Sequence, residues 1–316
     1  MPSNIEKIGN DAFNGLKKLC EIKCVDGEDY SFSDLFKNVT YIGDSAFTGC
    51  DKLEIGDLVL GSKVKSIGRS AFMWCDSITS LYIPDTVTYI GSGAFAYCPN
   101  IKKAEIHANI DKESRTSGWL YGAKSMEELI VPSFTFVYED IIGDVFDYGA
   151  RSIPDGLTKV TVLSGDTIPE NAFNDFRNVT DLELPSELIS VGQHATHDMI
   201  ALKNVYYGGP DEIWKGITEH ALETENEPLY NAKRVIPAVE EHIYGDANGD
   251  GEIDMSDAVL IMQALANPNK YGVNGTDPSH ITSEGFKYAD TDGNGLTVND
   301  AQRIQLYLLG KLKVLG

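Results

Sequence analysis

The chain has 316 residues, 42% of them hydrophobic, and a formal net charge of −22. So much carboxylate repels nucleic acid and anionic membrane surfaces, which removes both as partners. The length predicts about two domains, and the absence of a run of about eighteen apolar residues excludes insertion in a membrane as a helix.

In chain order, one motif returns first: Ile8-Gly9-Asn10-Asp11-Ala12-Phe13, then Ile42-Gly43 to Ala46-Phe47, Ile67-Gly68 to Ala71-Phe72, and Ile90-Gly91 to Ala94-Phe95. Looser copies follow at Ile168-Pro169 to Ala172-Phe173 and at Val191-Gly192 to Ala195-Thr196. The marker alanines lie 34, 25, 23, 78 and 23 residues apart. The long step divides into three of about 26, which places degenerate copies at Trp119-Leu120 and Val145-Phe146 and gives about eight coils between Ile5 and Gly209. Each coil offers a short strand, as in Ser80 to Pro84 or Asp181 to Pro185, and a short helical segment. Neither buries its apolar face alone, so the coils must stack into one core.

Stacking puts outward strand residues in columns. One column reads Val59, Tyr82, Glu105, Ile130, Thr161, Glu183, Tyr206, and its neighbour Asp57, Ser80, Lys103, Glu128, Lys159, Asp181, Asn204. Tyr82, Lys103, Glu105, Lys159, Glu183 and Tyr206 are the candidate contacts of this face for an unknown protein or glycan; the other reading is a set of solvated strand positions. Four residues after the marker, successive coils carry Leu16, Cys50, Cys75, Cys98, Ala123, Gly149, Phe176 and Met199. The slot is apolar, so its cysteines read as small hydrophobes, with a disulfide or metal as the alternative. Cys20 and Cys24, if the chain between them is extended, lie about 13 Å apart, too far for a bridge.

These repeats resemble the leucine-rich repeats of the BspA-like class found in bacterial surface proteins, over nearly all of residues 5–236 but poorly at 107–165. The resemblance implies a β/α leucine-rich-repeat solenoid over 1–236, closed by a cap over about 205–236 in which Trp214 covers the last coil. Residues 237–243 form a linker too short and too apolar for a flexible tether, so Ile243 and Tyr244 are expected to fix the angle between two domains.

Beyond the linker, two loop sequences match the oxygen spacing of a calcium loop. In the first, Asp246, Asn248 and Asp250 would ligate directly, Glu252 through its carbonyl, Asp254 through water and Asp257 at the closing position, with Gly251 at the sharp turn. In the second, Asp290, Asp292, Asn294, Leu296 and Asp300 play these parts in a loop one residue shorter. A deletion just after Gly295 brings Asn299-Asp300-Ala301 level with Ser256-Asp257-Ala258. Two calcium ions are expected, against the alternative of a surface turn at the second loop. Each loop leads into a helix, and no periodic helix precedes the first.

Residues 244–316 resemble the dockerin modules of cellulosome-forming anaerobic bacteria, a small all-α fold with two EF-hand-like loop-helix motifs. The resemblance implies an extracellular protein, secreted or attached to the cell surface, whose partner is a cohesin module of a scaffoldin. It implies contacts from Ser256, Val259, Met262 and Gln263 on one helix and from Asn299, Gln302, Gln305 and Leu306 on the other; the apolar ones among these could instead be core between the helices. Met262 and Gln263 correspond to Gln305 and Leu306, so the two surfaces differ and one orientation is preferred.

No nucleophile elbow, phosphate loop or zinc-protease helix occurs. His194 and His197 lack a third ligand nearby in sequence, and adjacent acids such as Glu127-Glu128 are not the cleft geometry of glycoside hydrolysis. The expected function is therefore that of a non-catalytic cellulosome component displaying a binding domain. The alternatives are a carbohydrate-active enzyme subunit and a structural or adhesive spacer.

Overall fold

The computed structural model describes residues 5–19, 22, 32–108, 110, 118–134, 153–237, 244–273, 275, 277–291, 296–312 and 315. The Val145-Phe146 copy, Gly149, Cys20, Cys24, Ile243, Asp292 and Asn294 lie outside the described residues. The chain divides into two compact units, Met1–Pro237 and Ala238–Gly316.

The first unit is a parallel β-solenoid. Its strands are β1 (Lys7–Ile8), β2 (Tyr41–Ile42), β3 (Gly56–Val59), β4 (Ser66–Ile67), β5 (Ile78–Ile83), β6 (Tyr89–Ile90), β7 (Lys103–Ile106), β8 (Glu128–Val131), β9 (Lys159–Val162), β10 (Thr167–Ile168), β11 (Asp181–Leu184), β12 (Ser190–Val191), β13 (Asn204–Tyr207) and β14 (Lys233–Val235). The main sheet has eight strands in the order β3-β5-β7-β8-β9-β11-β13-β14, all parallel; the two-residue strands form β1-β2-β4-β6 and β10-β12. Alternation drives the sheet: Leu58, Leu81, Ala104, Leu129, Val160, Leu182 and Val205 stand in one buried row while their neighbours point outward.

Inside, Phe13, Phe47, Phe72 and Phe95 of the marker motif stack ring on ring at 4.9, 5.1 and 5.3 Å, within 9° of parallel. That spacing is close to the rise between strands, about 4.8 Å, so one aromatic per coil fills the core without a gap. Leu120 takes the phenylalanine position of the degenerate copy at Trp119-Leu120 and is fully buried. The motif glycine has a steric cause. A Cβ on Gly68 or Gly91 would strike the backbone of the preceding coil, at Asp44 and Arg69.

The edge opposite the main sheet is built of turns, where a short helical segment was expected. Ser70 and Trp74 have φ of 52° and 59°, which breaks any helix four residues after it starts. Alternate amides reach across to the next coil: Ser70 N donates to Ser92 O at 3.0 Å, Phe72 N to Ala94 O at 2.7 Å and Trp74 N to Ala96 O at 3.0 Å. Successive coils are thus bonded along both edges.

The cysteine slot is buried, as expected of small hydrophobes. Cys50, Cys75 and Cys98 are free and fully buried, and each thiol donates to the carbonyl of the coil before it, Phe13, Phe47 and Phe72, at 3.1–3.2 Å. Leu16 in the first coil is the exception, at 46% exposure.

Helix α1 (Asp211–Glu223), helix α2 (Glu227–Asn231) and β14 close the array. The Trp214 ring lies 5.2 Å from that of Tyr207, and the Arg234 guanidinium covers both. Arg234 also donates to Gly209 O at 2.6 Å and to Asp211 at 2.8 Å. Asn226, fully buried, substitutes for the coil that does not follow. Its Oδ1 accepts from Thr196 N at 2.7 Å and its Nδ2 donates to Gly192 O at 2.8 Å.

The second unit consists of α3 (Met255–Ala266), α4 (Pro268–Tyr271), α5 (Ser283–Ala289) and α6 (Val298–Leu308). Ala258, Ile261 and Ala264 pack with Ala301 and Ile304 in a small core. Gly245 sits at φ 104°, tight against Leu315, Ile253 and Ile304, and a Cβ on Gly285 would strike the Ala247 carbonyl. Helix α5 is thereby seated against the first loop.

Candidate functional site

On the main sheet, register places Val59, Tyr82, Glu105, Ile130, Thr161, Glu183 and Tyr206 in one column, continued by Val235. The adjacent column alternates in sign. Lys103 stands 3.4 Å from Glu105 and 3.9 Å from Glu128, and Lys159 stands 3.0 Å from Glu128 and 3.8 Å from Glu183. His107 bonds Glu105 at 2.8 Å and lies under the Tyr82 ring at 5.2 Å. Tyr206 donates to Asp181 at 3.2 Å, and Thr161, almost fully buried, donates to Glu183 at 3.0 Å.

The titration of these groups reflects that pairing. Burial works to raise the Glu105 carboxyl, and the His107 and Lys103 partners outweigh it, holding the pKa below its ordinary value. Burial likewise works against the Lys159 ammonium, and Glu128 and Glu183 outweigh it, raising its pKa. The candidate contacts are therefore brought together, but largely paired with one another.

In the second unit, the loop carboxylates organise the loops. Asp246, 5% exposed, accepts from Gly249 N at 2.7 Å and Gly251 N at 2.9 Å. Asp250 accepts from Glu252 N at 2.9 Å. Asp257, fully buried, accepts from Ala247 N at 2.9 Å on one oxygen and Asp254 N at 2.9 Å on the other. Burial first, and the nearby Asp246 charge as a smaller contribution, push the Asp257 carboxyl above its ordinary value. Two buried carboxylates in one loop, with Asn248 and backbone oxygens beside them, are the donor chemistry of a hard cation. Among the described residues, no three Asp, Glu, His or Cys side chains by themselves form a group able to hold a metal, so a cation here would need amide, carbonyl or water oxygens as well.

The second loop repeats the closing geometry. Asp300 accepts from Thr291 N at 2.8 Å and from Thr297 N at 2.8 Å. Thr291 thus stands for Ala247 and Thr297 for Asp254. Leu296 packs on the core as Ile253 does, which puts it one place beyond the carbonyl position held by Glu252. The residue that the shorter loop lacks is the one at that carbonyl position.

All eight helix residues set out as partner contacts, Ser256, Val259, Met262, Gln263, Asn299, Gln302, Gln305 and Leu306, are exposed, so Val259, Met262 and Leu306 do not belong to the core between the helices. Sequence reasoning missed an apolar rim: Met255 and Leu265 on α3, and at equivalent places Val298 and Leu308 on α6, are 37–50% exposed. Their signal was the recurrence of apolar residues at matched positions in both repeats. Beside α3, a groove is walled by Ser256, Val259 and Gln263 on one side and by Pro278, Ser279 and His280 on the other.

Comparison with known proteins follows the same division. The model of the BspA type leucine-rich repeat region matches in six copies across residues 1–112, 28–141 and 156–223, and that of the dockerin type I domain matches 244–309. A Ruminococcus flavefaciens protein named xylanase/beta-glucanase is 54% identical over 68 residues, 21% of this chain and 8% of the relative. The solved complex of the third ScaB cohesin of R. flavefaciens with a group 1 dockerin matches at 51% identity, covering 23% of this chain and 96% of that chain, with a TM-score of 0.23. The T. pallidum leucine-rich repeat protein matches at 17% identity over 76% of this chain and 85% of that chain, with a TM-score of 0.31. No described helix is long and apolar enough to cross a membrane.

Proposed function

Because the chain belongs to the BspA type leucine-rich repeat family and matches the type I dockerin model over 244–309, we propose that it is a non-catalytic component of an extracellular cellulosome-type assembly. In this reading the helical unit binds a cohesin module of a scaffoldin and holds the repeat unit on the assembly as a protein- or glycan-binding domain. The observation that carries it is the exposure of the eight helix residues, which leaves α3 and α6 each with a partly apolar face open to a partner.

Type I dockerins bind calcium. One ion would be held by Asp246, Asn248, Asp250, the Glu252 carbonyl, Asp254 through water and Asp257, and a second by Asp290, Asp292, Asn294 and Asp300. The ion would neutralise the buried acids and fix each helix start, while the chain's own residues make the protein contact. The α3 face carries Val259 and Met262 where α6 carries Gln302 and Gln305, so α3 is the preferred face.

Calorimetric titration of the whole chain with a panel of scaffoldin cohesins, the third ScaB cohesin of R. flavefaciens among them, tests this. Binding in calcium that disappears in chelator and in the double variant Asp246→Ala, Asp290→Ala is the expected result. Binding unchanged in chelator would overturn calcium dependence, and binding by no cohesin would overturn the reading.

A further inference from the structure

The two closing acids, Asp257 and Asp300, are buried alike but are not bonded alike. A carboxylate offers about four lone-pair sites to donors or to a cation. Around Asp257, among the described residues, three of these are taken: Ala247 N at 2.9 Å and Asn248 N at 3.1 Å meet one oxygen, and Asp254 N at 2.9 Å meets the other. Around Asp300 all of them are taken. Thr291 gives one oxygen both its amide, at 2.8 Å, and its hydroxyl, at 3.0 Å. Thr297 gives the other its amide at 2.8 Å and its hydroxyl at 3.0 Å.

The two hydroxyls are what the first loop lacks, since Ala247 and Asp254 stand at their places. A further difference lies behind them. Arg303 on α6 donates from Nε to the hydroxyl oxygen of Thr291 at 3.0 Å, which brings a permanent positive charge to the second loop. The matching residue of α3 is Leu260, buried and uncharged. A chain of donors thus runs from Arg303 through the fully buried Thr291 to Asp300. On the other side the Thr297 hydroxyl also accepts from Asn299 N at 3.2 Å, in the first turn of α6.

We propose that the second loop is a calcium-independent latch, in which Thr291, Thr297 and Arg303 hold Asp300 and the start of α6, so that calcium acts on the helical unit through the first loop. Asp257 keeps a lone-pair site for a cation. An ion at the second loop, by contrast, has to displace a hydroxyl from Asp300 and to bind near a guanidinium that repels it. The Arg303 bond also polarises the Thr291 hydroxyl, which makes it a stronger donor to Asp300. The start of α6 is therefore built with or without the ion, and α3 carries the face that calcium switches. That consequence for α3 rests on the calcium-dependent cohesin reading.

Titration calorimetry of the chelator-stripped whole chain with calcium alone tests the latch, together with amide hydrogen exchange. One tight step is expected, lost in Asp246→Ala and kept in Asp290→Ala, with any second step weaker by about tenfold or more. Arg303→Leu, which installs the residue of the first repeat, should tighten the second step about tenfold. In chelator the Thr291 and Thr297 amides should keep the protection they have in calcium, while those of Ala247 and Asp254 lose about tenfold or more. Thr291→Ala should remove that difference and Thr291→Ser restore it. Two equally tight calcium steps, equal loss of protection in both loops, or no effect of Thr291→Ala overturns the latch. Cohesin titrations on the same preparations are a separate readout: binding by no cohesin fails the display reading alone, and equal calcium steps with cohesin binding intact fail the latch alone.

Discussion

The Asp300 carboxylate accepts the Thr297 amide at 2.8 Å, just as Asp257 accepts that of Asp254 at 2.9 Å. Each closing acid is therefore also the third residue of a helix whose cap it completes, Asp254 for α3 and Thr297 for α6. The shorter loop lost a residue upstream of this bond and kept the bond.

A closing acid that also caps a helix should matter without metal. In chelator, Asp257→Ala is expected to destabilise the helical unit by about 0.5–2 kcal/mol, as loss of a helix cap does. Asp250→Ala, which removes two exposed loop bonds, from Glu252 N and Asn248 Nδ2, should cost less. Urea denaturation of the whole chain in chelator and in calcium checks this: equal midpoints for the two variants in chelator would contradict the capping role.

Asn226→Ala should loosen the end of the solenoid. It leaves the buried Thr196 amide without its partner, at about 1–3 kcal/mol, and takes one of two donors from the Gly192 carbonyl, which keeps the Ala195 amide. A fall of the denaturation midpoint of the repeat unit, with cohesin binding unchanged, is the expected outcome.

Part of this architecture was legible beforehand. Strand columns follow from a period of two and a fixed step per coil, so Val59 through Tyr206 fell into register, and the repeating phenylalanine announced its own stack. The turn edge was hidden because Ser70 and Trp74 carry positive φ without being glycine; inter-coil bonds, not local preference, hold them there. The columns gave the signs of Lys103, Glu128 and Lys159 but not their mutual pairing. Asn226 stood outside every repeat.

The slot thiols should resist reagents while the fold is intact. Burial is the main cause that raises Cys98 to about 12 and lifts Cys75 further still, so almost no thiolate is present at neutral pH. Mass spectrometry after alkylation should find Cys50, Cys75 and Cys98 unmodified in native protein and labelled in urea. Rapid native labelling of Cys75 would contradict the burial.

Acid should weaken the sheet face in a defined way. The Glu105 pKa is depressed in the folded state, so its contribution is present above the unfolded value, about 4.3, and is lost as pH falls through the folded value. Glu105→Gln should therefore lower the melting temperature at neutral pH and flatten its dependence on pH below about 4.3. Parallel melting curves for wild type and variant across that range would argue against the Lys103 and His107 pairing.

The strand that ends the main sheet also guards it. A solenoid with a bare final strand offers its amides and carbonyls to any other β-edge and tends toward end-to-end polymers. Here the outermost strand is three residues long, reads Lys233-Arg234-Val235 and is followed within two residues by Pro237. Arg234 is held by Asp211, but Lys233 is exposed, so its charge repels that of a neighbouring copy at such an edge, and proline has no amide to give. The terminal strand thus leaves little edge on which a second array could continue the sheet.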